Sequence, residues 1–325
     1  MKYSRIIGTG AYYPEKVMTN ADFEKMVETT DEWITTRTGI KTRHITAKDE
    51  TTSDMAYKAA LNAIDMAGIK ASEIDGIIFA TLSGDYTLPN TATMLQHKLG
   101  ISGSFAFDLN VACSGFVYSL SVADAMIKVG QCKTILIACA ERLSAMTDFT
   151  DRNTCVLFGD AAGCAIVRAS DTPGVRSTNI SADGTFGDLL TMHGVGTTYL
   201  ANRDTMRLED NFIKMNGREV FKQAVRMMEE AAVKAVADSG LQESDITFLV
   251  PHQANMRIIE ATAKRFNLSM DKVLINLDRC GNTSSATIPT VLDDGIRSGK
   301  VKTGDNLVIV AFGGGATWGG SVVTL

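Results

Sequence analysis

The chain contains an internal repeat, and this repeat constrains its fold more than any other feature of the sequence. Residues 58–78 read KAALNAIDMAGIKASEIDGII and residues 230–250 read EAAVKAVADSGLQESDITFLV, a shift of 172 positions. Each copy predicts an alanine-rich helix that ends at a glycine, Gly68 or Gly240, followed by a polar turn and a short β-rich segment. Such a repeat is too long for a solenoid unit of about 20–50 residues, so it indicates a duplication.

Two further pairs of segments extend the repeat. The same shift places residues 133–140 (KTILIACA) on 305–312 (DNLVIVAF), and both runs are typical of strands buried on both faces. A five-residue gap in the alignment pairs Cys113 with Cys280, and each half is expected to carry a helix, a strand and another helix between these segments. The alternation predicts the α/β class, with halves related by a pseudo-twofold axis.

The boundary between the halves is expected near Pro173 and Gly174, which punctuate the chain. The resulting units are 1–172 and 173–325, and the absence of a low-complexity linker predicts that they pack tightly. Residues 181–216 are polar, glycine-rich and weakly periodic, which is typical of an inserted loop region that contacts substrate.

Composition excludes several classes of function. The 325 residues are 45% hydrophobic and carry a net charge of -5, so the core is sizeable and no global basic field attracts nucleic acid. No apolar run approaches the ~18 residues of a membrane span, and we expect no signal peptide. Six cysteines without CxxC pairs favour free thiols in a reducing cytoplasm, and four histidines lack zinc-site spacing.

Cys113 is the strongest candidate nucleophile. It lies between a predicted strand at 105–110 and a predicted helix at 116–129. A thiol at a helix N-terminus feels a partial positive charge that lowers its pKa and favours the reactive thiolate. The alternative is a small buried apolar residue, which is how Cys139 and Cys164 inside predicted strands are interpreted.

His252 has the strongest functional case among the histidines. It follows Pro251 directly after the second copy of the repeated strand, where a side chain can face a site at the strand end. His97 falls in a predicted helix, and His44 and His193 fall in polar segments. A packing or surface role for His252 is the alternative.

Asn282 follows Cys280 in what the gapped alignment makes the counterpart of the Cys113 turn. Capping of a helix is the alternative role for this short amide. A histidine and an asparagine near a thiolate suit hydrogen-bond donation to a thioester oxygen. The glycines of 312–317 (FGGGAT) match no phosphate-binding pattern, so a backbone N–H aimed at a Cys113 thioester is favoured over a simple tight turn.

Together these motifs resemble the β-ketoacyl-acyl-carrier-protein synthase III family, the initiating condensing enzymes of fatty-acid synthesis in the thiolase superfamily. The motifs are DEWITTRTGI at 31–40, the Cys113 turn, PHQAN at 251–255, GNTSSA at 281–286 and FGGGATWG at 312–319. The resemblance covers essentially the whole chain. It implies a thiolase-like, duplicated five-layered α/β/α/β/α fold, which agrees with the repeat.

The resemblance also implies the catalytic residues Cys113, His252 and Asn282, with the backbone N–H groups of Cys113 and Gly315 holding an oxyanion. In the implied ping-pong reaction, Cys113 takes the acyl group of an acyl-CoA primer, with acetyl-CoA the first expectation. Malonyl-acyl carrier protein (malonyl-ACP) then decarboxylates and condenses, without a cofactor or metal. At the third catalytic position the chain has an asparagine rather than a second histidine or a second cysteine, which favours the initiating type of condensing enzyme.

Binding residues follow from the same match. The implied coenzyme A contacts are Trp33, Arg37, Arg152, Asn216, Phe221 and Asn255. The implied contacts for the acidic carrier protein are Lys214, Gln253, Ala254, Asn255, Met256 and Arg257. Leu88 matches the variable residue at the end of the acyl pocket, contributed across a homodimer, and leaves acetyl, branched and longer primers open.

Two other functions remain open at this stage. One is a condensing enzyme or acyltransferase of secondary metabolism that uses the same three residues. The other is a non-catalytic partner subunit that keeps the fold, which the intact cysteine, histidine and asparagine argue against.

Overall fold

The structure is a computed structural model that describes residues 3–194, 196–205 and 207–325. The strands are β1 Tyr3–Tyr12, β2 Lys16–Thr19, β3 Thr42–Ile45, β4 Gly76–Ala80, β5 Phe105–Leu109, β6 Thr134–Arg142, β7 Asp160–Ser170, β8 Val175–Ala182, β9 Leu190–Thr191, β10 Lys214–Met215, β11 Phe248–Pro251, β12 Asn306–Gly313 and β13 Thr317–Thr324. The helices are α1 Asn20–Phe23, α2 Asp31–Thr38, α3 Thr52–Ala67, α4 Thr91–Lys98, α5 Gly115–Lys128, α6 Arg152–Cys155, α7 Thr197–Ala201, α8 Gly217–Ser239, α9 Met256–Arg265, α10 Leu277–Cys280 and α11 Thr287–Arg297.

Two mixed sheets form the frame of the molecule and share one strand order. The first sheet runs β1-β7-β6-β4-β5 and the second runs β8-β13-β12-β11. Strand β4, which follows α3, pairs in parallel with β6, and β11, which follows α8, pairs in parallel with β12. From there toward β1 in the first sheet and toward β8 in the second, all pairs are antiparallel. This common order confirms the duplication that the repeat predicts.

The helices lie in three layers around these sheets. Helices α3 and α8 cover the outer faces of the first and second sheet, respectively. Between the sheets, α5 contacts strands of both, and α11 packs on β1, β7 and β11. The result is the predicted five-layered α/β/α/β/α arrangement. Among the described residues, no helix combines the length and apolarity needed to cross a membrane.

Local signals explain where the two repeated helices begin and end. Thr51 caps α3 by accepting a hydrogen bond from the backbone N–H of Asp54, and Asn216 caps α8 in the same way. Both helices end at a glycine in the left-handed region, with φ of 63° at Gly68 and 77° at Gly240. Glycine adopts this conformation without a Cβ clash, which confirms the predicted helix ends.

The predicted pairing of Cys113 with Cys280 is wrong. The turns Ala112–Ser114 and Ser284–Ala286 precede α5 and α11, and each starts with a residue in the left-handed region, at φ 48° and 51°. These turns differ by 172 positions without any gap. Ser285 is therefore the structural counterpart of Cys113, and the cysteine match came from residue type rather than backbone geometry.

The second half also lacks the helix–strand–helix order expected between its repeated segments. Val273 forms only an isolated parallel bridge with Leu249, and the described chain then turns into α10. Asn276 donates to the carboxylate of Asp294, and Arg279 bonds the same carboxylate, so both residues are tied to α11. The predicted order holds for the first half alone.

Candidate active site

Cys113 lies where two cavities meet. One cavity, which we call the tunnel, has a volume of about 180 Å³ and is also lined by His252 and Asn282. The other, which we call the inner cavity, has a volume of about 400 Å³ and mainly apolar walls. The three side chains predicted to be catalytic thus converge on one space, although they are far apart in the sequence.

The thiol of Cys113 is almost wholly buried, with 6% of the residue exposed. Burial raises the pKa of the thiol to about 12, and the charge of Glu141 acts in the same direction. The neighbouring Ser284 hydroxyl opposes this shift of the thiol pKa. The predicted lowering of the thiol pKa is therefore wrong for the resting site, because burial raises the pKa of this thiol, which lies one residue before the cap of α5.

The imidazole of His252 is held at the end of β11. Its backbone N–H donates to the carbonyl of Val310 at 2.8 Å, which prolongs the pairing of β11 with β12. Burial lowers the pKa of the imidazole to about 3, so the ring is neutral near pH 7. Its Nδ1 lies 2.7 Å from Thr287 Oγ1. The Thr287 hydroxyl has a single proton and also lies 2.9 Å from the carbonyl oxygen of Ser284, so it donates either to that carbonyl or to Nδ1. When it donates to Nδ1, the ring proton is on Nε2 and can be donated to a ligand.

Asn282 is fixed by its backbone and by one side-chain oxygen. Its N–H donates to the carbonyl of Leu157 at 2.9 Å, and its carbonyl accepts from the N–H of Gly159 at 3.0 Å. Its Oδ1 accepts from the backbone N–H of Ser284 at 2.9 Å. No hydrogen bond within the described part of the chain uses Nδ2, so this donor is available to a ligand in the tunnel.

Two glycines bring the end of β12 against the nucleophile. A Cβ at Gly313 would lie 2.8 Å from the backbone nitrogen of Cys113 and 2.9 Å from that of Ser114, so any side chain here would force the turn away. Gly315 has φ 73° and lines the inner cavity together with Cys113. Gly315 and Cys113 thus border the same space.

The structure brings together several residues predicted to bind coenzyme A. The Arg152 guanidinium lies 5.0 Å from the centroid of the Trp33 ring, within the range of a cation–π contact. Arg37 is exposed on the same helix as Trp33, and its carbonyl accepts from Asn255 Nδ2 at 3.0 Å. This bond ties α2 to the tunnel, which Asn255 also lines.

The other two predicted coenzyme A contacts lie at the start of α8. Phe221 lines the tunnel with 38% of the residue exposed, as expected of a residue at a tunnel mouth. Asn216 caps the helix by accepting from the backbone N–H of Glu219 at 3.4 Å. Its neighbours Met215 and Gly217 line the tunnel.

The predicted docking segment for a carrier protein divides into buried and exposed parts. Gln253 is wholly buried, and its side-chain amide donates to the carbonyls of Pro251 at 2.7 Å and Leu274 at 3.1 Å. It fixes the loop after β11, and this burial removes its side chain from the predicted docking surface. Arg257 and Lys214 are exposed.

The remaining residues of that segment lie between these extremes. Ala254 and Asn255 line the tunnel, and Met256 is half-buried at the start of α9. Leu88 lies in the loop between β4 and α4 with 87% of the residue exposed, and it lines neither cavity within the single chain. Its predicted role at the end of an acyl pocket therefore requires a second copy.

Sequence reasoning missed the walls of the inner cavity and the buried partners of the site. The apolar wall residues are Leu82, Leu143, Phe158, Leu190, Met192 and Ile213. The last three fall in the segment 181–216, which the sequence predicts to contact substrate, so this prediction could have been used to find them. Thr287 and Ser284 could have been found by applying the shift of 172 without a gap, because Ser284 then falls on Ala112. In the described residues, no three His, Cys, Asp or Glu side chains converge as metal ligands.

Comparisons with known proteins agree with this geometry. Two family models match, 3-oxoacyl-[acyl-carrier-protein (ACP)] synthase III at residues 107–184 and its C-terminal part at residues 236–325. The chain is 53% identical to β-ketoacyl-[acyl-carrier-protein] synthase III 1 of Vibrio parahaemolyticus, over 99% of each chain.

Solved structures give the same result. The chain is similar to the crystal structure of 3-oxoacyl-[acyl-carrier-protein] synthase III from Aquifex aeolicus, with 44% identity, a TM-score of 0.92 and coverage of 99% and 100% of the two chains. It is also similar to the priming β-ketosynthase of the R1128 polyketide pathway, with 34% identity, a TM-score of 0.94 and coverage of 100% and 96%.

Fold and relatives together define an acyltransferase of the thiolase-like, condensing-enzyme class. The chain belongs to the β-ketoacyl-acyl-carrier-protein synthase III family.

Proposed function

We propose that the protein starts fatty-acid synthesis by condensing an acyl-CoA primer with malonyl-ACP, through an acyl-Cys113 intermediate. The observation that carries this proposal is the position of Cys113 at the junction of the tunnel and the inner cavity. A thioester can approach along the tunnel while the acyl chain enters the inner cavity. His252 and Asn282 line the tunnel side, where the second thioester arrives.

In the first half-reaction the sulfur of Cys113 attacks the carbonyl carbon of the primer and coenzyme A leaves. Negative charge develops on the carbonyl oxygen, and the backbone N–H groups of Cys113 and Gly315 are the proposed donors. Preorganised donors of this kind are effective because they need no rearrangement during the reaction. The positive φ of Gly315 supports this role, since it turns the backbone at the cavity wall.

In the second half-reaction malonyl-ACP occupies the tunnel. We assign to His252 Nε2 and Asn282 Nδ2 the donation of hydrogen bonds to its thioester oxygen. Carbon dioxide leaves, the enolate that forms carries its charge on that oxygen, and its carbon attacks the acyl group on Cys113. Neutral donors suit this step because a carboxylate in their place would repel the enolate. The chemistry requires no cofactor, since loss of carbon dioxide supplies the carbanion.

The proposed partners bind at the tunnel mouth. The stacked pair Trp33 and Arg152 would hold the adenine end of coenzyme A, with Arg37 and Asn216 beside it. Arg257 and Lys214 are exposed and positively charged, so they fit an acidic carrier protein although the net charge of the chain is -5.

The assembly and compartment are also part of the proposal. Strand β5 ends the first sheet, and Phe105 and Phe107 stack with ring centroids 6.2 Å apart at this free edge. An unpaired apolar edge strand supports a homodimer in which two first sheets join, and size-exclusion chromatography with light scattering tests it. The six free cysteines support a reducing, cytoplasmic location.

Priming of a polyketide is the second candidate function. The similarity to a priming β-ketosynthase and the volume of the inner cavity, about 400 Å³, support it. This cavity is many times larger than the share of about 30 Å³ that one water-sized group occupies. The inner cavity therefore has room for acyl groups larger than acetyl, and the acceptor rather than the primer separates the two functions.

The decisive experiment follows the two half-reactions in sequence. The protein is incubated with acetyl-CoA and with branched acyl-CoA, and intact-mass spectrometry is used to look for one acyl group on Cys113. Malonyl-ACP is then added, and β-ketoacyl-ACP and carbon dioxide are measured. Acylation without condensation on any fatty-acid carrier protein would refute the fatty-acid assignment, and the absence of acylation would refute the enzymatic one.

A further inference from the structure

A buried carboxylate lies behind the nucleophile and has no role in the reaction described so far. Glu141, at the end of β6, is wholly buried and accepts five hydrogen bonds. Across the described residues, no lysine, arginine or histidine side chain bonds it. An unpaired buried carboxylate is costly, so its retention beside a catalytic centre calls for a function.

The donors on Oε2 of Glu141 have fixed directions. The backbone N–H of Leu82 donates at 3.1 Å. The Ser83 hydroxyl accepts from the N–H of Arg142 at 2.8 Å, so its proton is free to donate to Oε2 at 2.6 Å. The Thr81 hydroxyl accepts from the N–H of Ser83 and donates to Oε2 at 3.1 Å. With three donors on Oε2, a proton that binds this carboxylate must bind Oε1.

The donors on Oε1 are the hydroxyls of Ser285, at 2.8 Å, and Ser284, at 3.1 Å. Only Ser284 lines the inner cavity with Cys113, and the turns that carry these two residues contact each other, so its hydroxyl lies beside the thiol and lowers the pKa of that thiol. Ser284 is held at φ 51°, a conformation that costs free energy for a residue other than glycine. Ala112, its counterpart in the turn of the first half, is held at φ 48° without a bridging side chain, so this conformation belongs to the turn itself.

The charges favour a proton transfer over a simple ionisation. If Cys113 lost its proton to water, two negative charges would share one buried site, and the charge of Glu141 raises the pKa of the thiol for this reason. If the proton moves to Glu141 instead, the site keeps a single negative charge throughout. The other thiol that the charge of Glu141 affects is Cys139, which lies buried inside β6 and lines neither cavity.

We propose that Ser284 and Glu141 form a proton relay that activates Cys113 and stores its proton during the acyl-enzyme stage. This inference rests on the proposed function. In the first step the S–H bond breaks, its proton passes to Ser284 Oγ, and the Ser284 proton passes to Glu141 Oε1. The electron pair left on sulfur forms the bond to the thioester carbon, and the coenzyme A thiolate that departs takes its proton from water.

In the condensation the same path runs backwards. The bond between sulfur and the acyl carbon breaks with its electron pair on sulfur, and Glu141 returns its proton through Ser284 to give the thiol again. While the acyl-enzyme exists, Glu141 is neutral. The enolate therefore forms beside an uncharged acid rather than beside a carboxylate that would repel it.

The test compares Glu141→Gln and Ser284→Ala with Ser285→Ala as the matched control. Ser285→Ala removes a donor from the same Oε1 but leaves the route to Cys113 intact. The readout is the single-turnover rate of Cys113 acylation between pH 7 and 9, by rapid quench and intact-mass spectrometry. Circular dichroism and thermal unfolding check that each variant folds, and Ser284→Ala decides if Glu141→Gln does not fold.

For the wild type and Ser285→Ala we expect a rate nearly independent of pH in this range. For Ser284→Ala and Glu141→Gln we expect a loss on the order of 10²-fold at pH 7 and a rise of about tenfold per pH unit, because hydroxide must then remove the proton. Acylation by Glu141→Gln as fast as by wild type would overturn the relay, since a purely repulsive carboxylate gives that result. If wild type itself is never acylated, the proposed function fails instead.

Discussion

The two turns at the ends of the central helices have nearly the same backbone and different chemistry. Ala112–Ser114 and Ser284–Ala286 both open in the left-handed region and both lead into a helix between the sheets. In the first turn Cys113 faces the tunnel and the inner cavity, whereas its counterpart Ser285 is bonded to the buried Glu141. The duplicated turns thus share a left-handed backbone conformation, but one carries the nucleophile Cys113 and the other carries Ser285, which bonds Glu141.

This difference extends to the halves as a whole. The first half supplies Cys113 and the stacked pair Trp33 and Arg152, which serve the acylation step of the proposed reaction. The second half supplies His252 and Asn282, which serve the decarboxylation step. Substitutions of these two sets of residues should therefore affect different steps, whereas Gly315 and Ser284 of the second half serve the acylation step in the proposals above.

Cys113→Ala tests the contrast most severely. Removal of the nucleophile is expected to lower acyl transfer by on the order of 10⁴-fold or more, because no other group replaces a covalent attachment site. Intact-mass spectrometry after incubation with acyl-CoA measures it. The control is Cys280→Ala, which lies in neither cavity and should be acylated at the wild-type rate. An acyl adduct that still forms in Cys113→Ala would show that Cys113 is not the acylated residue.

Asn282→Ala should separate the half-reactions. We expect decarboxylation of malonyl-ACP to fall by about 10²–10³-fold, as for the loss of one oxyanion donor, while Cys113 is still acylated. Release of labelled carbon dioxide and the mass of the acyl-enzyme give the two rates. His252→Ala should behave similarly. If either substitution abolishes acylation and spares decarboxylation, the assignment of His252 and Asn282 to the decarboxylation step is wrong.

Filling the inner cavity should change primer choice, because both halves build its walls. Ile213→Phe is expected to reduce kcat/KM for branched primers by about 10-fold or more relative to acetyl-CoA, as one or two methylene groups lose their space. Ile213→Val, which enlarges the cavity slightly, is the control. Equal losses for all primers would mean that acyl chains do not occupy this cavity.

His252 gives a prediction for stability rather than rate. Its folded pKa of about 3 is below its ordinary value of 6.5, so the unfolded chain binds a proton first as the pH falls. The free energy of unfolding should therefore decrease below pH 6.5, by up to about 1.4 kcal/mol per pH unit. Urea titrations of wild type and His252→Gln measure this slope, which the variant should lack. His97→Gln, at an exposed helix position, should retain it.

Trp33→Ala should have the smallest effect. Loss of the contact with Arg152 is expected to raise KM for acyl-CoA by about 5-fold, in line with roughly 1 kcal/mol for an exposed cation–π pair. A primer thioester of N-acetylcysteamine lacks the adenine nucleotide and serves as the control, with an unchanged KM. A rise in KM for both primers would place Trp33 in the packing of α2 instead.

The sequence predicted the architecture well because the repeat is periodic and local. The glycines that end the repeated helices, the buried strands and the strand-to-helix turn at Cys113 all follow from short segments. The predicted convergence of Cys113 with His252 and Asn282 came from the resemblance, since no local pattern measures the distance between residues of different halves.

Other features depend on the folded environment and could not be predicted. The thiol pKa of Cys113 rises because the surrounding chain excludes water, whereas its position before a helix suggested the opposite. The second half has α10 where the first half has β5, and Asn276 and Arg279 in this region bond to Asp294 of α11, a contact that a short segment of sequence does not reveal. Gln253 belongs to a motif that is predicted to form a docking surface, yet its side-chain amide is buried and donates a hydrogen bond to the carbonyl of Pro251 within the loop.

The close approach at Gly313 has a consequence for any attempt to divide the chain. The strand that ends there belongs to the second sheet, yet it fixes the backbone of the nucleophile in the first half. A fragment that ends near residue 172 would retain the cysteine but lose the surface that shapes its turn. Reactivity toward thioesters is thus a property of the joined polypeptide, and co-expressed fragments should recover it only when they reassemble.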